Sequence, residues 1–356
     1  MSRIDTFLEL AVRQGGSDLH MISGQAPRIR IHGVLHQVRF RELSVEDMER
    51  LIEEFTTPEA RARLGTQLST DFAYDVNGLG RFRVNLYRHH GGLGASFRVI
   101  PTQIPSWESL GLPTSLKLAV SQPKGLTLVT GPTGSGKSTS LAAMVDHINS
   151  TRRGHIVTIE DPIEFVHGYK QCVVTQREVF AHAPSFSEAL AAAVREDPDV
   201  ILVGELRDLE TISLALTAAE TGIQVLGTLH TNGAARTVDR IVNVFPARRQ
   251  EQIRAMLADS LRMVVSQQLV TRTDGAGRLA VIEVLINNTA SASIIRGGAS
   301  HKLNSVIQAG RKVGMQSLDA GLRELVRAGA ITGEEAYDHA VDRSQFERSL
   351  VRAEAA

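Results

Sequence analysis

The nine residues GPTGSGKST at 131–139 set one lysine and several hydroxyls among glycines. Gly131, Gly136, Lys137 and Ser138 match the pattern G-x-x-x-x-G-K-[ST]; Pro132, Thr133, Gly134 and Ser135 fill the loop and Thr139 follows it. Glycines let a backbone wrap a phosphate without Cβ clashes. Successive N–H groups and a helix N-terminus then face the anion. In that arrangement Lys137 reaches the β- and γ-phosphates and Ser138 ligates Mg²⁺. The expected ligand is a nucleoside triphosphate with magnesium.

Two further stretches carry acids at the ends of apolar runs. DVILVGELRD (199–208) delivers Glu205 after Gly204, where the familiar magnesium-side acid would follow the run directly. IEDPIEF (159–165) crowds Glu160, Asp161 and Glu164 together. Ligands of open α/β sheets bind outside the carboxyl ends of the strands, so these acids are expected in the crevice of the phosphate loop. Attack on a γ-phosphate needs one carboxylate to order the magnesium shell and one to position water. Glu205 suits either task, and each acid has the plainer option of capping a loop or pairing with Arg177 or Arg207. GTLHTN (227–232) ends a fourth run in His230, a candidate sensor of the γ-phosphate or a structural histidine.

The elements that must hold these residues read as strand–loop–helix repeats. GLTLVT (125–130), HIVTIE (155–160), DVILVG (199–204) and QVLGTLHT (224–231) are near-continuous apolar strands. STSLAAMVDHINS, SFSEALAAAVRE and LETISLALTAAET, the last ended by Gly222, are the intervening helices, and Ser185 with Glu188 forms a capping box. The pattern predicts an α/β fold with a mostly parallel sheet covered on both faces. From about residue 248 onward the chain reads as mainly helical. Upstream, residues 2–14 are an amphipathic helix and 44–55 a helix capped by Ser44. Alternating segments at 28–38, 71–76, 81–88 and 94–100 complete a small α+β domain. GGSDLHM (15–21) reads as a break. The expected domains are 1–100, a linker at 101–118 that includes the proline-rich stretch 100–113, and 119–356.

Formal net charge is zero, so the footprint of a general nucleic-acid binder is missing. The single Cys172 excludes an intramolecular disulfide and a cysteine-based zinc site. Asp5 and Glu9 interrupt the N-terminal stretch, which argues against a secretion signal, and no apolar run reaches the ~18 residues of a membrane span.

Taken together, GPTGSGKST, IVTIEDPIEF, VGELRDLETISLALTAAETG and GTLHTN resemble the secretion-type ATPases of type IV pili and type II secretion. GGSDLH and GMQSLDAGLRELV (314–326) resemble the twitching-motility retraction branch of that family, the PilT/PilU type. The resemblance implies a homohexameric motor with a PAS-like N-terminal domain and a RecA-like ATPase domain. It further implies a location at the cytoplasmic face of the inner membrane, a membrane platform protein as partner, and a paralogous retraction ATPase as a further one. It places the phosphate-loop lysine on Lys137, the catalytic glutamate on Glu164, the Gly-preceded Walker-B-type glutamate on Glu205 and part of the histidine box on His230. With Glu164 as the base, Glu205 is left to order magnesium and its waters. The family's phosphate-reaching arginines fall on Arg83 and Arg98, with Arg81 and Arg88 as rivals. Two departures stand out: Ile223 replaces a histidine, and in ASASIIRG (290–297) Ala292 and Gly297 replace an arginine and a glutamate while Arg296 is kept. These changes make an accessory retraction motor a second reading, beside a pilus-assembly or type II secretion ATPase and a weakly hydrolysing nucleotide-binding scaffold.

Overall fold

Phe82, Val84 and Leu86 alternate with Arg81, Arg83 and Asn85, and this period of two lays one apolar and one polar face on a strand. The computed structural model, which describes residues 2–31, 33–100, 103–275 and 277–347, builds that strand into the first of two units. The first unit takes Met1–Gln103 and also Pro162–Val166; the second takes Ile104–Asp161 and the chain from His167.

In the first unit the order is α1 (Arg3–Arg13), β1 (Asp18–Ile22), β2 (Arg28–Ile31), β3 (Val34–Gln37), α2 (Val45–Phe55), α3 (Pro58–Gln67), β4 (Ser69–Val76), β5 (Gly80–His89) and β6 (Gly92–Ile100). The sheet is antiparallel throughout, with order β3-β2-β1-β6-β5-β4. Ile4 and Leu8 of α1 and Met48, Leu51 and Ile52 of α2 join Leu19, Phe82, Val84 and Phe97 in one core. Ser2 and Ser44 each close a capping box at the start of these helices. Three sequence expectations change. The supposed break at 15–21 contains β1, a central strand, whose Leu19 and Met21 are buried. The run 28–38 folds back on itself as a hairpin. α3 was not foreseen; it buries only Ala60 and Leu64, and Thr57 and Pro58 start it.

In the second unit the order is α4 (Leu116–Ser121), β7 (Gly125–Thr130), α5 (Lys137–Thr151), β8 (His155–Glu160), β9 (Val173–Glu178), α6 (Phe186–Ala193), β10 (Val200–Val203), α7 (Leu209–Thr221) and β11 (Gln224–Leu229). Then come α8 (Ala234–Asn243), α9 (Ala247–Ser260), β12 (Leu261–Thr271), β13 (Arg278–Ile286), α10 (Thr289–Arg296), α11 (Leu303–Ala309), α12 (Leu318–Arg327) and α13 (Gly333–His339). The sheet order is β13-β12-β7-β11-β10-β8-β9, with only the β12/β13 pair antiparallel. Buried clusters lie on both faces, as near-continuous apolar strands require.

The mainly helical stretch from 248 also carries a strand pair. β12 and β13 extend the sheet, and the helical region proper begins at α10. LRMVVSQQLVT is rich in β-branched residues, and it pairs with β7, which lies far upstream. The linker is shorter than 101–118 on its downstream side, because Trp107, Leu112 and Leu116 pack into the core of the second unit. Ser185 caps α6 through the Glu188 N–H at 3.2 Å, but the Glu188 carboxylate turns to the Ser185 hydroxyl at 3.5 Å instead of completing the box.

Candidate active site

Gly131, Gly134 and Gly136 all take positive φ values, so the loop between β7 and α5 follows a path closed to most side chains. A Cβ at Gly131 would sit 2.1 Å from the Gln267 carbonyl oxygen, and one at Gly136 would sit 2.8 Å from the Gln267 amide nitrogen. Gln267, on β12, is the brace of this loop. Its Nε2 donates to the Ser135 carbonyl at 2.7 Å, and its Oε1 accepts from the Ser140 hydroxyl at 2.8 Å. Sequence reading missed Gln267 because the stretch from about 248 was read only as mainly helical; the β-branched Val264, Val265 and Val270 around it are the signal for the strand.

Lys137 opens α5, and its Nζ donates to the carbonyls of Gly131 and Pro132 at 2.8 and 2.9 Å. That ammonium is thus pinned over its own loop, with Gly136 at the cap position and no side-chain cap on the helix. Uncapped first-turn amides and an N-terminal helix dipole favour an anion. Ser135 supports the same fit, since its buried Oγ has no hydrogen-bond partner. Pro132, Thr133, Gly134 and Ser138 are exposed, and Thr139 is half-buried beneath them. The loop therefore suits nucleotide phosphates.

At the end of β11, His230 stands between the loop and the acid. Its Nδ1 lies 3.5 Å from Lys137 Nζ, and its Nε2 lies 3.2 Å from Glu205 Oε1. A neutral ring carrying its proton on Nε2 accepts from the lysine and donates to the carboxylate. Glu205 is also bound by Arg207 Nε at 2.6 Å. Burial pushes the Glu205 carboxyl upward, but the Arg207 guanidinium and His230 outweigh it and hold the group below its ordinary value. Gly204 is required for packing: its N–H donates to the Ile159 carbonyl at 2.7 Å, and a Cβ there would lie 3.1 Å from that oxygen. Asp208 caps α7 through the Thr211 N–H at 2.8 Å.

Glu160 accepts from Thr158 Oγ1 at 2.6 Å and from Gln176 Nε2 at 3.3 Å, so its carboxylate is braced along the sheet. Among the described residues no three His, Cys, Asp or Glu side chains form a metal cluster. Magnesium binds through one or two protein oxygens, substrate phosphates and water. Ser138, Glu205 and Glu160 carry the oxygen donors that would hold it. Ile223 packs against the core just before β11 starts, at the opposite end of that strand from His230. Arg296 pairs with Asp259 at 2.6 Å, while Ala292 packs against the core.

The other candidates belong to the first unit. Arg83 and Arg98 are directly opposite across β5 and β6, and Asp18 is opposite Arg98 across β1 and β6. Arg98 Nε donates to Asp18 Oδ1 at 2.9 Å. Arg83 lies 3.9 Å from both Asp71 Oδ1 and Glu164 Oε1, the latter on the returning segment Pro162–Val166. Arg81 shares the face of Arg83; it binds Asp75 at 2.6 Å and the Ile163 carbonyl at 3.2 Å. Arg88 has the parity of Phe82, Val84 and Leu86, which puts it on the opposite side of β5. The sheet thus separates rivals that spacing alone left equal.

The model of the type II/IV secretion system protein family matches residues 1–338. The chain is 48% identical to the type IV pilus retraction ATPase PilT of Pseudomonas aeruginosa, over 95% of this chain and 98% of that protein. It is 41% identical to the type IV pilus ATPase PilU of the same organism, over 94% of this chain and 88% of that one. A crystal structure of the pilus retraction motor PilT with bound ADP superposes with a TM-score of 0.90 at 42% identity, covering 98% of this chain and 99% of the other.

Proposed function

Because the chain belongs to the type II/IV secretion system protein family, we propose that it is a magnesium-dependent ATPase motor that powers type IV pilus retraction. The reaction is ATP plus water to ADP plus phosphate. The observation that carries this reading is the line Lys137–His230–Glu205 beside an uncapped phosphate loop. Lys137, with the amides of residues 131–139, binds the β- and γ-phosphates. Magnesium, when bound with ATP, neutralises charge on those phosphates. Ser138 and Glu205 hold its shell, with Glu160 as the second carboxylate. Glu164 accepts the proton of the attacking water. Arg83 and Arg98 stabilise phosphate charge, a task worth ~10³–10⁵ in rate for an arginine finger.

The motor works as a homohexamer at the cytoplasmic face of the inner membrane, against a membrane platform protein. In this reading hydrolysis is coupled to domain rotation. Among the described residues no helix is long and apolar enough to cross a membrane. With zero net charge, no nucleic-acid partner is proposed. Ala292 and Gly297 in the late helix favour one second reading, an accessory motor working with a paralogous retraction ATPase. Deleting the gene in the source organism and imaging its pili tests the assignment. Hyperpiliated cells that do not retract support the main motor. Retraction that persists but weakens under load supports the accessory one, and bald cells would replace both with assembly.

A further inference from the structure

α8 begins immediately after the His230 turn, yet its cap residue, Gly233, has no side chain to satisfy the first amides. Two residues opposite one another on β12 and β13 do so instead. Ser266 Oγ accepts the Gly233 N–H at 2.8 Å, and Glu283 Oε1 accepts the Ala234 N–H at 2.8 Å. The next residue, Val284, exchanges backbone hydrogen bonds with Gln316 at 2.8 and 3.1 Å, two residues before α12 begins. β13 therefore holds the N-terminus of α8 through a carboxylate only 8% exposed, and the approach to α12 through its backbone. The neighbouring Asp319 is committed elsewhere, to the Val341 and Asp342 amides at 2.8 and 3.0 Å. A cavity of about 600 Å³ borders Gly233, Ser266, Glu283 and Leu318, so much of this junction is polar contact beside open space.

β12 links the junction to the phosphate loop. Ser266 holds the α8 start, and Gln267, the next residue and on the opposite face of the strand, holds Ser135 and Ser140. From Gly233 it is three residues back along the chain to His230. We propose that Glu283 is a positioning residue for hydrolysis: by holding the start of α8 onto β13, it sets His230 against Lys137 and Glu205 and ties that setting to the strand that also holds the approach to α12. This inference rests on the ATPase reading of the phosphate-loop site. A carboxylate suits the task because both its oxygens only accept, whereas an amide can turn a donor towards the Ala234 N–H.

The test uses the full-length chain as wild type, Glu283→Gln and Ser266→Ala. Amide exchange is followed at 231–243 and 318–327, histidine ring NMR signals are assigned through a His230→Gln control, and ATP turnover is measured. Glu283→Gln is expected to speed exchange about fivefold at the start of α8, the loss of one modest hydrogen bond. The His230 signals should shift. kcat should fall at least about tenfold with KM within about twofold, as for a misplaced catalytic group. Ser266→Ala should shift His230 and speed exchange at α8 alone. Faster exchange with unmoved His230 signals and wild-type kcat would overturn the proposal and leave Glu283 a simple helix cap. Should Glu283→Gln fail to fold, unmoved His230 signals in Ser266→Ala would overturn it equally. A wild type without turnover would remove the ATPase reading, while the exchange and NMR readouts still decide the clamp.

Discussion

His230 Nε2 lies 3.2 Å from Glu205 Oε1, so the end of one central strand reads the acid at the end of the next. The histidine's other nitrogen reaches towards Lys137. A change at the phosphates is thereby expected to reach Glu205, the proposed magnesium-side acid, and the turn leading into α8.

Lys137→Ala removes the one ammonium placed over the loop. ATP turnover is expected to drop by about 10²–10³, the usual effect of losing a preorganised donor to developing charge. Phosphate release at saturating ATP measures it; wild-type turnover would remove the phosphate-loop assignment.

Glu205→Gln keeps the shape of the side chain but abolishes the charge that Arg207 and His230 hold ionised. Half-saturating Mg²⁺ should rise about tenfold, as for weakened ligation around a metal. A magnesium titration of turnover at fixed ATP reads this, and an unchanged midpoint would assign the metal shell to another group.

Glu164→Gln should bind ATP normally and turn over about 10²–10⁴ times more slowly, because the general base is lost. Equilibrium binding of a fluorescent ATP analogue beside phosphate release separates the two effects. Turnover at the wild-type level would make the 3.9 Å approach of Arg83 to Glu164 a structural ion pair only.

Burial drives the His167 imidazole down to about 4, with Asp146 pulling it up and Lys170 pulling it down. Its folded value lies below the unfolded one of 6.5, so the unfolded chain binds more protons between these values. Stability contributed by neutral His167 is therefore full above pH 6.5 and falls as the pH drops towards 4, by about 3 kcal/mol in all. Melting temperatures of wild type and His167→Gln across that window should diverge, the wild type losing more. Parallel curves would contradict the shift.

The phosphate loop was readable from sequence because its requirements are local: glycines at fixed spacing, then Lys137 and Ser138, between a strand and a helix. Glu205 was readable for the same reason, since an apolar run ends two residues before it. Gln267 was not, because its contact with Ser135 depends on β12 pairing with β7, which lies some 130 residues earlier in the chain. β1 was missed because five residues with two polar ones inside carry too little pattern, and it is pairing with β2 and β6 that makes them a strand. Arg81, Arg83 and Arg88 could be sorted only by the pleat, which sends the first two to one face and the third to the other.

Phosphate release from ATP by the purified full-length protein, with and without magnesium, tests the central claim most directly. The account predicts turnover that requires Mg²⁺ and disappears on chelation with EDTA. Bound ATP with no phosphate released in the presence of Mg²⁺ would contradict it, and would leave the chain a nucleotide-binding ring subunit without motor activity.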